Sequence, residues 1–198
     1  MKIVLASDNA HKLREFRQIL SDWNIELLSK KEAGCTEEVE ETGTTFAENA
    51  RIKAEAVMRA TGLPAIADDS GLCVDALGGE PGVYSARYTG RDEDTDADRY
   101  RYLLEKLGDN PDRRARFVCA LSCVFPNGDV LSCEGRCEGE ILAGPEGENG
   151  FGYDPIFRPL GFDRGMGLLT AEEKNAISHR GKALELFKTE WERYYVNQ

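Results

Sequence analysis

Two hydrophobic periods share the chain. Residues 2–7, KIVLAS, form a short apolar run that predicts a buried strand. Leu13, Phe16, Ile19 and Leu20 then recur at helical spacing, behind Asn9 as a candidate cap. Residues 25–29, IELLS, predict a second strand, and the polar, acidic stretch from Lys30 to Gly43 predicts a loop or lid. A second helix is expected from Thr45, where Glu48 completes a capping-box spacing and Phe46, Ala50, Ala54 and Val57 form the apolar stripe. Gly62-Leu63-Pro64 ends it, and PAIADDS enters a third strand. Gly78-Gly79 and Pro81-Gly82 mark tight turns before VYSARY. The acid-rich RDEDTDADR leads into a helix carrying Tyr102, Leu103 and Leu107, closed by Gly108. A long antiparallel hairpin follows, then the glycine-rich GPEGENGFGYDP. Thr170 and Glu173 repeat the capping-box spacing, and the last helix is expected to bury Leu184, Phe187 and Trp191. Helices alternating with strands, plus one hairpin, predict an α/β fold with a mixed central β-sheet flanked by helices. A length of 198 residues suits one domain, 1–198.

Charge narrows the function classes. Twenty-five Lys and Arg stand against 36 Asp and Glu, a net charge of −11. That balance argues against general nucleic-acid binding, which needs a basic surface to release counterions. A small anionic substrate would need a local positive cradle or a metal ion. No run of about 18 apolar residues suggests a membrane span, and the N-terminus lacks a secretory signal, so a cytoplasmic location is expected.

The cysteines raise the question of zinc, because Cys119 and Cys123 are four apart and so are Cys133 and Cys137. If Asn127-Gly128 is a two-residue type I′ turn, Val124 faces Leu131 and Cys123 faces Ser132. The two cysteine pairs then lie on opposite faces of the hairpin and cannot converge on a metal. Reduced structural thiols are the expectation.

Five segments could carry chemistry. Ser7-Asp8-Asn9-Ala10-His11-Lys12 lies where the first strand turns into a helix, and a helix N-terminus offers free N–H groups and partial positive charge to a phosphate. The pattern is not a P-loop, and taken alone it is also that of an ordinary capped helix. Asp68-Asp69-Ser70-Gly71 puts two carboxylates at the end of an apolar strand, which is costly without a cation and suits Mg²⁺. Strand alternation sends the two carboxylates to opposite sides. Glu40-Glu41-Thr42-Gly43 could add a second metal carboxylate, although an acidic cluster is more often merely solvated. Phe151-Gly152-Tyr153-Asp154-Pro155 sets a glycine between two aromatic rings that could stack on a base. Ser178-His179-Arg180-Gly181 reads as the capped start of the last helix, with two donors in its first turn.

These segments occur in a fixed order: SDNAHK, EETG with TFAENARIKA, AIADDSGL, GGEPGVYSARY, NGFGYDPIF and EEKNAISHRGKAL. The series closely resembles the bacterial branch of the inosine triphosphate pyrophosphatase family, the noncanonical purine NTP pyrophosphatases, over nearly the whole chain. The resemblance implies two lobes with a substrate cleft between them, a homodimer, a Mg²⁺ cofactor and removal of dITP, ITP and XTP from the nucleotide pool. It implies that Ser7, Asp8, Asn9, Ala10, His11 and Lys12 bind the triphosphate, and that Lys53 approaches the phosphates. Glu41 and Asp69 match the metal ligands, and Asp69 the proton acceptor, with Ser70 touching substrate. Phe151, Gly152, Tyr153, Asp154, Lys174, His179 and Arg180 match base and sugar contacts. His11 stands where a glycine or other small residue is common. Two rival readings remain at this level: a related pyrophosphatase for modified pyrimidine nucleotides, and a nucleotide-binding sensor without catalysis.

Overall fold

A computed structural model describes residues 1–91 and 93–196, so Asp92 of the acid-rich stretch lies outside the described residues. Six strands form one sheet in the order β2-β1-β3-β4-β5-β6, with β1 Lys2–Leu5, β2 Glu26–Ser29, β3 Ala65–Val74, β4 Arg114–Val124, β5 Val130–Ile141 and β6 Phe157–Pro159. β1 runs parallel to both β2 and β3, while β6 is antiparallel to β5. The parallel pairs are joined by crossovers through helices α1 (Ala10–Ile19) and α2 (Phe46–Thr61), as a parallel connection requires. Helices α3 (Asp96–Leu107), α4 (Ala171–Ile177) and α5 (His179–Val196) complete the set. The mixed α/β architecture expected from the sequence is the one observed.

The chain divides into two compact units, the first made of 1–69, 119–135 and 181–198, the second of 70–118 and 136–180. In the first unit, strand alternation builds two cores. Ile3, Leu5 and Ile66 face Phe16 and Leu20 of α1 and Leu184 and Phe187 of α5. Val4, Ala65 and Ala67 face Ala54 and Val57 of α2. The period-2 pattern of β1 and β3 thus decides which helix each residue meets. In the second unit, Leu72 and Val74 pack with Leu103 and Leu107 of α3, Phe117, Tyr153, Ile156 and Phe157.

The helix starts are written in local chemistry. Asn9 accepts from the amides of His11 and Lys12. Thr45 and Glu48 form a reciprocal capping box, as do Thr170 and Glu173. Thr95 and Asp98 form a third, with aspartate in the usual glutamate place. α2 closes on Gly62 at φ +67°, a left-handed cap open to glycine at little cost.

The hairpin departs from the expected register. No non-glycine residue among those described has positive φ, so Asn127 cannot open a type I′ turn, which needs positive φ at both central positions. Instead the Phe125 amide donates to the Asp129 carbonyl at 3.0 Å and the Gly128 amide donates to Phe125 at 3.0 Å. Pro126 favours a type I turn, and Gly128 at φ +93° follows it as a bulge. The loop is therefore three residues long, and Ser122 faces Ser132 with their hydroxyls 3.4 Å apart. This slip of one residue moves side chains to the other face. Cys119, Cys123 and Cys133 all join the same core cluster, while Cys137 joins the core of the second unit. The expected separation of the two pairs onto opposite faces is wrong. No disulfide joins any of the six cysteines, and burial pushes the Cys133 thiol up to about 12.

Replacing Thr45 by alanine removes the side-chain acceptor for the Glu48 amide, and urea titration is expected to show about 1 kcal/mol lost. An unchanged midpoint would show that the box contributes nothing.

Candidate active site

In the first unit the start of α1, the residues just before α2 and the middle of β3 bring charged groups together. Asp68 and Asp69 are successive residues of β3, so their side chains leave on opposite faces. Each meets its own lysine. Asp68, on the α1 side, is fully buried and lies 3.1 Å from the Lys12 ammonium. Asp69, on the α2 side, lies 3.3 Å from the Lys53 ammonium and accepts from the Asn49 side-chain amide at 3.2 Å. Glu41 reaches the same Lys53 ammonium at 2.7 Å. Two carboxylates from distant parts of the sequence therefore converge on one cationic nitrogen.

Electrostatics follow from this crowding. Burial pushes the Asp69 carboxyl above the ordinary carboxylate range; Lys53 opposes that shift and Glu41 adds to it. Burial works against the Lys53 ammonium, yet Asp69, Asp68 and Glu41 outweigh it and raise its pKa. Lys12 and Lys53 set two positive charges against the three carboxylates of Glu41, Asp68 and Asp69.

The opening of α1 is a side-chain-capped helix start. Ser7 accepts from the Asn9 amide at 3.2 Å, and Asn9 holds the next two amides as the cap. Ala10 is the first helical residue. Asp8 accepts from the buried Lys30 ammonium at 2.7 Å, which also donates to the Glu37 carbonyl at 2.6 Å and so ties the acidic loop to this turn. His11 is exposed, and its Nδ1 accepts from Arg14 at 2.9 Å, since a guanidinium can only donate.

Magnesium chemistry fits the donors. Glu41 and Asp69 are hard oxygen donors that converge on the Lys53 ammonium. Among the described residues no group of three or more His, Cys, Asp and Glu could hold a metal. Mg²⁺ does not need one, because it commonly takes one or two carboxylates and completes its shell with waters and substrate phosphates.

The second unit gathers the other candidates. Lys174 and Asp154 form a buried ion pair at 2.8 Å, and Asp154 also accepts from the Phe151 amide at 2.9 Å. Gly150 at φ +79° makes room for this, since a Cβ there would stand 2.0 Å from Asp154 Oδ2. The Lys174 ammonium lies 4.5 Å from the centre of the Phe151 ring, and the Arg180 guanidinium 5.8 Å from it. Arg180 is buried and donates to the Ser70 hydroxyl at 3.4 Å. His179 stacks on Phe117 with ring centres 4.9 Å apart. The Gly152 amide donates to Asp96 at 2.6 Å. Tyr153 behaves differently from Phe151: its ring belongs to the apolar core and its hydroxyl donates to the Ser85 carbonyl at 2.8 Å. Of the two rings, only Phe151 stays outside that core.

Some contributors were given no role by the sequence. Asn49 lies inside the TFAENARIKA string, but its link to Asp69 needs the sheet. Asp96 lies in an acidic stretch that reads as solvated, and Lys30 in a loop. Their single signal was polarity, which burial alone makes informative.

The model of the Ham1 family matches residues 3–190. The chain belongs to the Ham1 family. It is 50% identical over 188 residues to a dITP/XTP pyrophosphatase of Desulfotalea psychrophila, covering 95% of this chain and 84% of that one. To the dITP/XTP pyrophosphatase of Bacillus subtilis it is 49% identical, with 92% of each chain covered. A Ham1 protein from Coxiella burnetii superposes with a TM-score of 0.89 at 46% identity, over 98% of this chain and 99% of that one.

The ion pair of the second unit gives a direct test. Lys174→Met leaves the Asp154 carboxylate without its ammonium in a dry site, and denaturation is expected to show about 3 kcal/mol lost. A loss below about 0.5 kcal/mol, within the range of an exposed pair, would contradict the burial argument.

Proposed function

We propose that this Ham1 family chain hydrolyses noncanonical purine nucleoside triphosphates, dITP, ITP and XTP, to the monophosphate and pyrophosphate with Mg²⁺. The observation that carries the reading is the convergence of Glu41 and Asp69 on the Lys53 ammonium in the unit that also bears the α1 N-terminus. The names of the dITP/XTP pyrophosphatase relatives support the substrate class.

In this reading Glu41 and Asp69 would hold the ion. A bound Mg²⁺ neutralises phosphate charge and lowers the barrier to attack at phosphorus. The protein groups do the rest. The positive end of α1, with Lys12 and Lys53, receives the phosphate oxygens and stabilises charge on the departing pyrophosphate. Asp69 orients the attacking water and accepts its proton, the water's oxygen bonding to the α-phosphorus as the bond to the β-phosphate oxygen breaks. Ser7, Asp8, Ala10 and His11 belong to the same phosphate segment.

The second unit supplies base selection. Arg180 and His179 are donors, and a C6 carbonyl accepts where an adenine amino group donates. A buried donor facing the wrong group costs about 1–3 kcal/mol, roughly tenfold to a hundredfold in discrimination. Phe151 offers a face for stacking, with Gly152, Tyr153 and Asp154 shaping its loop and Lys174 and Ser70 beside them. Such an enzyme works in the cytoplasm, where nucleotides are made, and as a homodimer.

Pyrophosphate release from a panel of ITP, dITP, XTP, dUTP and methylated dTTP is expected to favour the first three and to vanish in excess chelator. Asp69→Asn is expected to retain the fold by circular dichroism and lose at least about a hundredfold in kcat. Equal hydrolysis of ITP with chelator, or preference for the pyrimidines, would refute the assignment.

A further inference from the structure

We infer that Asn49 is the positioning residue that fixes the metal carboxylate pair, an inference that rests on Glu41 and Asp69 being the Mg²⁺ ligands. Asn49 is fully buried at the start of α2, where a polar side chain is costly unless both ends of its amide are used. They are. Its Nδ2 donates to Asp69 Oδ2 at 3.2 Å, and its Oδ1 accepts from the Gly43 amide at 2.8 Å. One planar amide thus clamps Asp69 of β3 to the backbone that follows Glu41 by two residues.

The clamp is tight on the loop side. A Cβ on Gly43 would meet Asn49 Oδ1 at 2.6 Å and Glu48 Cβ at 2.7 Å. The absent side chain is what lets the Glu41–Gly43 segment approach α2 closely enough for this bond. Asn49 itself lies in the first turn of α2, where its amide donates to the Thr45 carbonyl at 3.1 Å, a backbone bond that an alanine at position 45 keeps. The side chain therefore projects from a helix turn whose geometry is already set.

The amide also suits a metal ligand better than a charged partner would. It orients one oxygen of Asp69 without neutralising the carboxylate, and it would keep that hold if a divalent ion took the place of Lys53. Lys53 contacts Asp69 Oδ1 and Asn49 contacts Oδ2, so the two partners address different oxygens. Outer-shell hydrogen bonds to metal ligands typically govern about 10–100-fold in affinity or activity.

The test compares Asn49→Ala with Thr45→Ala, which loosens the same helix start without touching Asp69. Mn²⁺ binding is followed by the paramagnetic resonance of the unbound ion, alongside kcat, KM for ITP and the thermal midpoint. Asn49→Ala is expected to weaken Mn²⁺ at least about tenfold and to lower kcat similarly, with KM at saturating metal within about threefold. Thr45→Ala is expected to lower the thermal midpoint and leave Mn²⁺ affinity unchanged. If Asn49→Ala does not fold, Asn49→Leu, close to asparagine in shape, takes its place with the same expected loss. Mn²⁺ affinity within threefold of the parent in a folded Asn49 variant overturns the inference, as does an equal loss in Thr45→Ala. A parent protein that binds no Mn²⁺, or hydrolyses ITP in chelator, instead overturns the metal assignment beneath it.

Discussion

Neighbouring carboxylates on a strand cannot share a cation, because the pleat sends them to opposite faces. Asp68 and Asp69 obey this constraint, and much of the first unit is arranged around it. Asp68 meets Lys12 on the α1 side and Asp69 meets Lys53 on the α2 side. The two crossover helices that make the parallel sheet possible therefore each deliver one lysine. Two buried or half-buried carboxylates are tolerated because each has a separate counter-charge. The fold's topology and the site's electrostatics are the same arrangement seen at two scales.

Glu41 turns two separate ion pairs into a larger charged cluster. It comes from a loop and shares Lys53 with Asp69. The loop is held by Lys30 at Asp8 and Glu37, and by Asn49 at Gly43. An acidic stretch that would otherwise repel itself is thereby held at defined points. The chain's net charge of −11 says little about this cluster, since the local field depends on these few groups.

The second unit uses the same physics for another purpose. Asp154 receives the Lys174 ammonium and the Phe151 amide, so the aromatic loop is braced from within by a buried ion pair. Lys174 and Arg180 both lie over the Phe151 ring, which adds attraction between cation and π face. A ring held this way has little freedom left to lose in any contact it makes.

Local chemistry was readable from the residues alone. The caps at Asn9, Thr45 and Thr170, the stop at Gly62, the apolar stripe of α2 and the alternation of β3 are short-range effects, and they reappear where the pattern put them. The ordered motifs pointed to the family for the same reason, since each is a contiguous string. What depends on contacts between distant segments was not readable. The hairpin register turned on whether Asn127 adopts positive φ, and the surrounding strands chose a type I turn with a bulge at Gly128. Tyr153 looked like a partner of Phe151, but two residues further along the turn its ring goes into the core. Asn49 looked like one polar residue on a helix, and only the sheet beside it turned its amide into a clamp on Asp69. Sequence thus settled what each segment prefers by itself, whereas packing settled which of its polar atoms face one another, because burial is a property of the neighbours.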